Sequence, residues 1–140
     1  MENKGEVSIL LPYQMREGEA FVFLQKRSMT FKILPGHLAF FGGKMEAGES
    51  PVEGLEREIK EELGFVPKNY TKLGDYFFRD GKLAHIYFLE VGKEFENKIK
   101  VMEGDYGKFF SQVEILREPM MIDSDKKIVG DLFEHLKNGQ

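Results

Sequence analysis

Cysteine is absent from this sequence, and so are long apolar runs. Without cysteine the chain forms no disulfide, no thiolate metal site and no cysteine nucleophile. No stretch of about 18 apolar residues occurs, so no membrane-spanning helix is predicted. The first residues, MENKGEVSILLPYQ, also lack the apolar core of a signal peptide. We therefore expect a cytoplasmic protein that does not bind a membrane.

Positive charge is slightly outnumbered by negative charge. Lysine and arginine number 20 against 24 acidic residues, which gives a net charge of −4, and no basic tract stands out. Proteins that bind long nucleic acids take much of their affinity from basic side chains on the phosphate backbone. We therefore expect no long nucleic acid as a partner. A small phosphorylated substrate remains compatible, because a bound metal ion neutralises phosphates locally.

The length and composition fit one globular domain. The 140 residues are enough for a substantial core, and we expect the domain to span residues 1–140. With 41% hydrophobic and 31% charged residues, the composition is that of a soluble protein. No internal repeat, low-complexity segment or linker interrupts the chain.

Patterns of apolar residues predict several strands and two main helices. Pro12 should place the first strand at a sheet edge or near a bulge, because proline cannot donate a ladder hydrogen bond. The last helix should be capped by Asp123, Ser124 or Asp125. Many strands with two main helices favour an α/β fold with a mixed sheet sandwiched between helices. The strands are expected at 7–14, 19–26, 37–41, 71–78, 83–91, near 98–103 and at 108–111, and the helices at 51–63 and 125–136.

The helix at 51–63 carries its own start and stop signals. Ser50 is placed to cap it, with Pro51 at the first helical position and Glu53 completing a capping box. Gly64 follows the last apolar position and suits the left-handed turn that ends a helix. The apolar positions at helical spacing are predicted to face the core: Val52, Leu55, Ile59 and Leu63.

Three glutamates of this helix share one face. Glu58, Glu61 and Glu62 are spaced i, i+3 and i+4, so their like charges repel and weaken an isolated helix. Oxygen ligands on one rigid face are what a hard divalent cation such as Mg²⁺ requires. The face carrying Glu58 and Glu62 is separate from the apolar stripe, so the helix can pack with one side and bind a metal with the other.

The segment GKMEAGESPVEGLEREIKEELGF, residues 43–65, resembles the Nudix box, the defining motif of the Nudix hydrolases. A solvated, glutamate-rich helix would explain the carboxylates, but not the glycines and the arginine together with them. The resemblance implies an α/β/α sandwich that hydrolyses a nucleoside diphosphate linked to another group, with Mg²⁺ or Mn²⁺ as cofactor. Every specified position matches: Gly43, Glu49, Arg57, Glu58, Ile59, Glu61, Glu62, Gly64 and Phe65.

The resemblance also implies roles for individual residues. Glu58 and Glu62 would be the main metal ligands, with the Gly43 carbonyl as a further ligand. Glu61 would bind metal or handle a proton from water. Arg57 would orient these carboxylates, and we count it with Glu58 and Glu61 as catalytic. Two positions, Glu49 and Gly64, would support the motif. Glu49 would help Arg57 to orient the carboxylates and hold the loop, and the alternative is that the two form a plain surface ion pair.

Residues 103–109, EGDYGKF, resemble a loop of the MutT-type nucleoside triphosphate pyrophosphohydrolases. That resemblance makes Glu103 the candidate for a fourth carboxylate on the metal and for a general base, although an ordinary turn glutamate would look the same. Glu114 is a weaker alternative. In MutT-type enzymes a polar residue near the last helix reads the purine edge, which makes Asp125 a candidate base contact.

Phe41 stands where the family commonly has proline before the paired glycines. Its ring would pack in the core or contact a base, and Gly42 would let the chain approach a diphosphate closely. We therefore assign Phe41, Gly42, Lys44 and Asp125 to substrate binding. The histidines are expected to be structural or exposed.

The most specific function implied is that of a MutT-like nucleoside triphosphate pyrophosphohydrolase. ADP-sugars, dinucleoside polyphosphates and RNA 5′ ends remain open as substrates, as does a non-catalytic module that senses a nucleotide. Isomerases of this fold need a catalytic cysteine and are set aside. The partner would be a small nucleotide, and the protein would act as a monomer or a homodimer.

Overall fold

The structure is a computed structural model that describes residues 5–30, 32, 35–78, 80–99 and 106–138. Seven strands and four helices lie within these residues. In chain order they are β1 (Glu6–Arg16), β2 (Glu19–Lys26), β3 (Leu38–Ala39), β4 (Phe41–Lys44), α1 (Pro51–Leu63), β5 (Thr71–Phe77), β6 (Leu83–Glu90), α2 (Phe95–Lys98), β7 (Tyr106–Ser111), α3 (Gln112–Arg117) and α4 (Asp123–Lys137).

The described strands form one mixed sheet. Its main path runs β3-β2-β1-β6-β5, with β4 added beside β1 and β7 beside β2. β1 and β6 run parallel, and the other pairs are antiparallel. β1 is therefore the central strand. β6 lies along one side of it, and β4 and β2 share the other side.

Pro12 lies within this central strand, so the prediction that it marks a sheet edge is wrong. β4 pairs with residues 7–10 of β1, and β2 pairs with residues 13–16. Pro12 falls between these two registers, where the antiparallel ladder on that side changes partner. Proline is tolerated there because neither β4 nor β2 requires its missing N–H.

Two hydrophobic cores lie on the two faces of the sheet. Ile9 and Leu11 of β1 belong to the core that α4 covers, whereas Leu10 belongs to the core that α1 covers. This alternation follows from the two-residue period of a strand. Helices on both faces confirm the predicted α/β/α sandwich. Within the described residues, no helix combines the length and the apolar character that crossing a membrane requires.

Helix α1 begins and ends where the sequence predicts. Ser50 and Glu53 form the capping box, and Gly64 ends the helix with a φ of 81°. Val52, however, is 40% exposed, so the prediction that it faces the core is wrong. Beneath this first turn the sheet presents a polar side chain, since the Ser8 hydroxyl donates to the Pro51 carbonyl at 2.7 Å. The buried apolar stripe of α1 therefore starts one turn later: Leu55, Ile59 and Leu63.

Two segments near the C-terminal half differ from the prediction. A strand was expected near 98–103. Residue 98 instead ends helix α2, and residues 100–103 lie outside the described part. Helix α3 was not predicted, although Ser111 and Glu114 form a capping box at its start. That pairing also gives Glu114 a structural task, because its carboxylate accepts the Ser111 N–H at 2.8 Å.

Helix α4 is present but starts earlier than expected. Its N-cap position is Ile122, so the prediction that Asp123, Ser124 or Asp125 caps it is wrong. These three residues form the first turn instead. Acidic side chains are favoured there, because the helix dipole leaves partial positive charge at the N-terminus.

Gly42 lies where β4 and β1 approach too closely for a side chain. Its φ is +135°, and an added Cβ would overlap the Ser8 carbonyl oxygen and the Cα of Ile9. Glycine is therefore required at this position by two separate constraints, one of backbone conformation and one of space.

We expect Gly42→Ala to lower the free energy of unfolding by more than about 3 kcal/mol, because strand β4 has to move away from β1. Gly48→Ala is the matched control: its φ is also positive, at 84°, but no atom lies within 4 Å of the added methyl group. That variant should lose only about 1 to 2 kcal/mol, the cost of the left-handed conformation. Urea unfolding measures both. Equal losses would contradict the role given to the Ser8 contact.

Candidate active site

The paired glycines of β4 meet two glutamates of α1. The Gly42 N–H donates to Glu62 Oε1 at 2.9 Å. A Cβ on Gly43 would lie 2.5 Å from Glu58 Oε1, so the carboxylate rests directly against the glycine backbone. In the structure the Gly42 backbone closely approaches β1 and Glu62. Its predicted approach to a diphosphate stays a prediction. Helix α1 and β4 together bring Gly43, Glu58 and Glu62 to one place.

Arg57 is the centre of an ionic network at this place. Its Nε and Nη2 bind the two oxygens of Glu49 at 2.6 and 2.9 Å, a bidentate pair. Its Nη1 donates to Glu58 Oε2 at 2.9 Å and to Glu61 Oε2 at 3.0 Å. Nη2 also donates to the Lys44 carbonyl at 3.0 Å, which ties α1 to the end of β4.

This network shifts the proton affinities of its members. Hydrogen bonds to Glu49 and Glu58 raise the pKa of Arg57 above its usual value. The hydrogen bond from Arg57, with a second from the Glu46 backbone, lowers the pKa of Glu49 to about 2. Both groups are therefore charged throughout the physiological range. The Glu49–Arg57 pair is partly shielded from solvent, since the side chains of Arg57 and Glu49 are 25% and 16% exposed.

The predicted metal ligands are only partly gathered. Glu58 and Glu62 face β4, whereas Glu61 is 57% exposed and is held by Arg57. Within the described residues, no group of three or more acidic or histidine side chains is close enough to hold a metal ion. Glu103 lies outside the described residues. The assignment of Gly43, Glu58, Glu61, Glu62 and Glu103 to a metal therefore stays a prediction.

Of the two predictions for the Phe41 ring, packing in the core is confirmed and contact with a base is wrong. Phe41 is fully buried, and its ring stacks on Phe23 with centroids 5.4 Å apart. A ring enclosed in the core offers no face to a base. The neighbouring Phe40 points to the other face of the sheet and remains partly exposed beside Phe78, with ring centroids 6.4 Å apart. Sequence reasoning missed Phe40, although strand alternation places it opposite Phe41.

The other two predicted substrate contacts have different surroundings. Lys44 has an exposed side chain, and its carbonyl serves the Arg57 network. Asp125 lies in the first turn of α4, on the helix that covers the other face of the sheet. No hydrogen bond or ion pair joins its carboxylate to another described residue, and burial raises its pKa to about 6. A partly buried carboxylate with a raised pKa is often found at a functional site.

The histidines have structural or exposed positions, as expected. His135 is exposed and its ring contacts Phe88 at 5.2 Å. His37 lies 3.1 Å from the Pro35 carbonyl through Nδ1. His85 is buried between two carboxylates, those of Glu6 and Asp75. That arrangement could not be read from the sequence, because its members come from three different strands.

Comparison with known proteins identifies the family. Residues 4–132 match the NUDIX domain family, so the chain belongs to the Nudix hydrolases. It is 31% identical to an ADP-ribose pyrophosphatase of Methanocaldococcus jannaschii over 84% of this chain and 68% of that protein. It is 30% identical to the 8-oxo-dGTP diphosphatase of Escherichia coli K12 over 66% of this chain and 70% of that protein.

A further sequence relative is the uncharacterized Nudix hydrolase YfcD of Escherichia coli K12, 34% identical over 47% of this chain. The match spans only 37% of YfcD, little more than a third of that relative. Among solved structures, a mutT/nudix family protein of Listeria innocua has a TM-score of 0.76, with 19% identity over 99% of this chain and 97% of that one. The Caenorhabditis elegans Ap4A hydrolase binary complex has a TM-score of 0.75, with 14% identity over 95% and 99%. These two structures share the fold.

We expect Asp125→Asn to stabilise the protein at pH 8 and to leave it nearly unchanged near pH 4. A raised pKa means that the folded state favours the protonated form, so stability is lost as the pH rises from about 4, the unfolded value, through about 6. The gain at pH 8 should be about 2 kcal/mol by urea unfolding. Asp123→Asn, an exposed aspartate in the same turn, is the control. An equal gain in both variants, or none in Asp125→Asn, would contradict this account.

Proposed function

We propose that the protein hydrolyses a phosphoanhydride bond in a nucleoside diphosphate linked to another group, with Mg²⁺ or Mn²⁺ as cofactor. The observation that carries the proposal is the contact between the glycines of β4 and the glutamates of α1, in a chain whose Nudix box is complete. Gly43 leaves no side chain between its backbone and Glu58. Glu62 is positioned by the Gly42 N–H.

The residues present fit a hard divalent cation. The candidate donors are all oxygen atoms, from the Glu58 and Glu62 carboxylates and from the Gly43 carbonyl, and Mg²⁺ prefers such ligands. A bound divalent ion would neutralise the phosphates and lower the pKa of a bound water. Glu103 is proposed as an additional ligand on the strength of the MutT-like loop alone.

The chain's own side chains supply positioning and a proton acceptor. Arg57 holds Glu58 and Glu61 on one side and is itself held by Glu49 on the other, so the carboxylates keep a fixed spacing. Glu61 is the more exposed of the two at 57%, which lets water reach it. We propose Glu61 as a group that takes a proton from the attacking water, with Arg57 positioning its carboxylate.

A MutT-like reaction, which cuts a nucleoside triphosphate into a monophosphate and pyrophosphate, is the most specific version of this function. The compounds named for these relatives, 8-oxo-dGTP, ADP-ribose and Ap4A, all contain a nucleoside esterified to phosphates that are joined to each other by anhydride bonds. This chain of phosphates is the part that the box is proposed to bind. Phe40, close in sequence to the glycines, forms a partly exposed aromatic pair with Phe78, and aromatic rings stack on bases. Asp125 is proposed to read the base edge.

We expect Glu62→Gln to reduce hydrolysis more than tenfold, equivalent to more than about 1.4 kcal/mol of barrier, while the fold remains intact. Glutamine keeps the acceptor for the Gly42 N–H and removes only the charge. Glu56→Gln is the matched control on the same helix, since Glu56 accepts a hydrogen bond from Tyr70 away from the glycines. Activity of Glu62→Gln above a tenth of wild type would overturn its role.

Removal of divalent ions with EDTA should abolish turnover, and Mg²⁺ should restore it.

The substrate can be identified by comparing the rates at which the protein hydrolyses a panel of compounds, each with Mg²⁺. The panel contains dGTP, 8-oxo-dGTP, ADP-ribose, diadenosine tetraphosphate and an RNA with a 5′ triphosphate. We expect one of the two deoxyguanosine triphosphates to be cut fastest, with release of pyrophosphate measured by chromatography. Faster turnover of ADP-ribose, the dinucleotide or the RNA would replace the MutT-like assignment. Tight binding without turnover of any compound would identify a nucleotide-sensing module.

A further inference from the structure

His85 is a buried titratable group that the proposed chemistry does not use. It lies on β6 and is only 6% exposed. Its Nε2 lies 2.6 Å from Glu6 Oε1 on β1, and its Nδ1 lies 2.9 Å from Asp75 Oδ1 on β5. One imidazole ring therefore connects three strands of the sheet through two short hydrogen bonds.

The two acidic partners favour the charged form of the ring. An ionised carboxylate can only accept hydrogen bonds, so each ring nitrogen has to carry a proton, and a ring with both protons is an imidazolium. Burial would raise the pKa of Asp75, but hydrogen bonds from Lys72 and His85 outweigh it and hold the pKa below its usual value. Lys72 Nζ lies 2.8 Å from Asp75 Oδ1 and also 3.5 Å from His85 Nδ1, so Asp75 is shared between the lysine and the ring. Two cations thus balance two carboxylates, which makes a buried charge tolerable.

The cluster borders the strand that carries the candidate metal site. The Glu6 carbonyl accepts the Met45 N–H at 2.9 Å, directly after β4. The preceding carbonyl, that of Lys44, accepts a hydrogen bond from Arg57. Glu6 is therefore held by His85 through its side chain and holds the end of β4 through its backbone.

A row of paired residues leads across the sheet to the same place. Asp75 on β5 pairs with His85 on β6, His85 pairs with Ser8 on β1, and Ser8 pairs with Gly43 on β4. The Ser8 hydroxyl also donates to the Pro51 carbonyl, at the start of α1. The histidine cluster thus lies at one end of the row, and the contact of Gly43 with Glu58 lies at the other.

We propose that His85 is a positioning residue: as an imidazolium shared by Glu6 and Asp75, it fixes the start of β1, and through Glu6 it fixes the end of β4, where Gly43 meets Glu58. It contacts neither metal nor substrate. Its consequence is a higher affinity of the apoprotein for the divalent ion. The proposal rests on the proposed function for the identity of the metal site, but its charge state is testable without any substrate.

The first test measures the protonation of the ring. The chain has 3 histidines, so ¹⁵N NMR spectra of the side chains are simple, and His85→Gln and His135→Gln assign them. At pH 7 we expect protons on both ring nitrogens of His85, whereas exposed His135 serves as the reference for an ordinary ring. A spectrum in which one nitrogen of His85 carries no proton would overturn the proposal.

The second test measures binding of Mn²⁺ to the substrate-free protein by electron paramagnetic resonance. Supporting residues behind metal ligands typically contribute tenfold or more to affinity, and His85 is further removed, so we expect His85→Gln to weaken binding about three- to tenfold. His135→Gln is the matched control and should bind Mn²⁺ as wild type does. Unchanged affinity in a folded His85→Gln protein would overturn the proposal, whereas a lowered melting temperature alone would not support it.

A third measurement keeps the test decisive if His85→Gln does not fold. Glu6→Gln keeps an acceptor oxygen for the ring but removes the carboxylate charge, and it should weaken Mn²⁺ binding in the same direction. If both variants fold, the double variant with Glu6→Gln and His85→Gln should bind Mn²⁺ no more weakly than the weaker-binding single variant, because both substitutions act through one contact. Additive losses, or wild-type binding by Glu6→Gln, would contradict the proposal. None of these readouts depends on which nucleotide the enzyme cuts.

Discussion

Helix α1 packs so closely on β4 that a side chain on Gly43 would collide with Glu58. A side chain on the preceding residue, Gly42, would collide with β1. This closeness is what allows the backbone of β4 to take part in the site. The Gly42 N–H reaches Glu62, and the Lys44 carbonyl reaches Arg57. Backbone groups in a sheet have no rotamer freedom to lose, so carboxylates held by them are positioned at a low entropic cost.

The charges of α1 would oppose this packing without Arg57. Adjacent glutamates on one helix face repel each other. The guanidinium offsets the repulsion, because it binds Glu49 in a bidentate pair and Glu58 and Glu61 through its remaining nitrogen. One cation among several carboxylates still leaves an excess of negative charge. The helix therefore keeps an attraction for a further cation.

Most features that depend on neighbouring residues in the chain could be predicted from the sequence, with α3 and its local capping box as the exception. Several features that depend on distant partners could not, although the layered α/β/α architecture was predicted. Helix α1 was predicted at both ends, because Ser50 and Gly64 act within one turn of it. Val52 was misplaced, since its exposure depends on the polar Ser8 beneath it. Pro12 was misplaced, because the partner change along β1 is a property of the whole sheet. The grouping of Glu6, Asp75 and His85 has no sequence signal at all.

The ring of Phe41, enclosed between Phe23 and the rest of the core under α1, has a consequence for the glycines that follow it. A proline at this place would stiffen the chain locally through its fixed φ, independently of the surroundings. Here the backbone at this position is held by the packing of the Phe41 ring, so it stays rigid only as long as the core remains packed. The backbone amides of the glycines should therefore exchange with solvent deuterium mainly through cooperative global unfolding, so that the candidate active site and the fold melt as one unit.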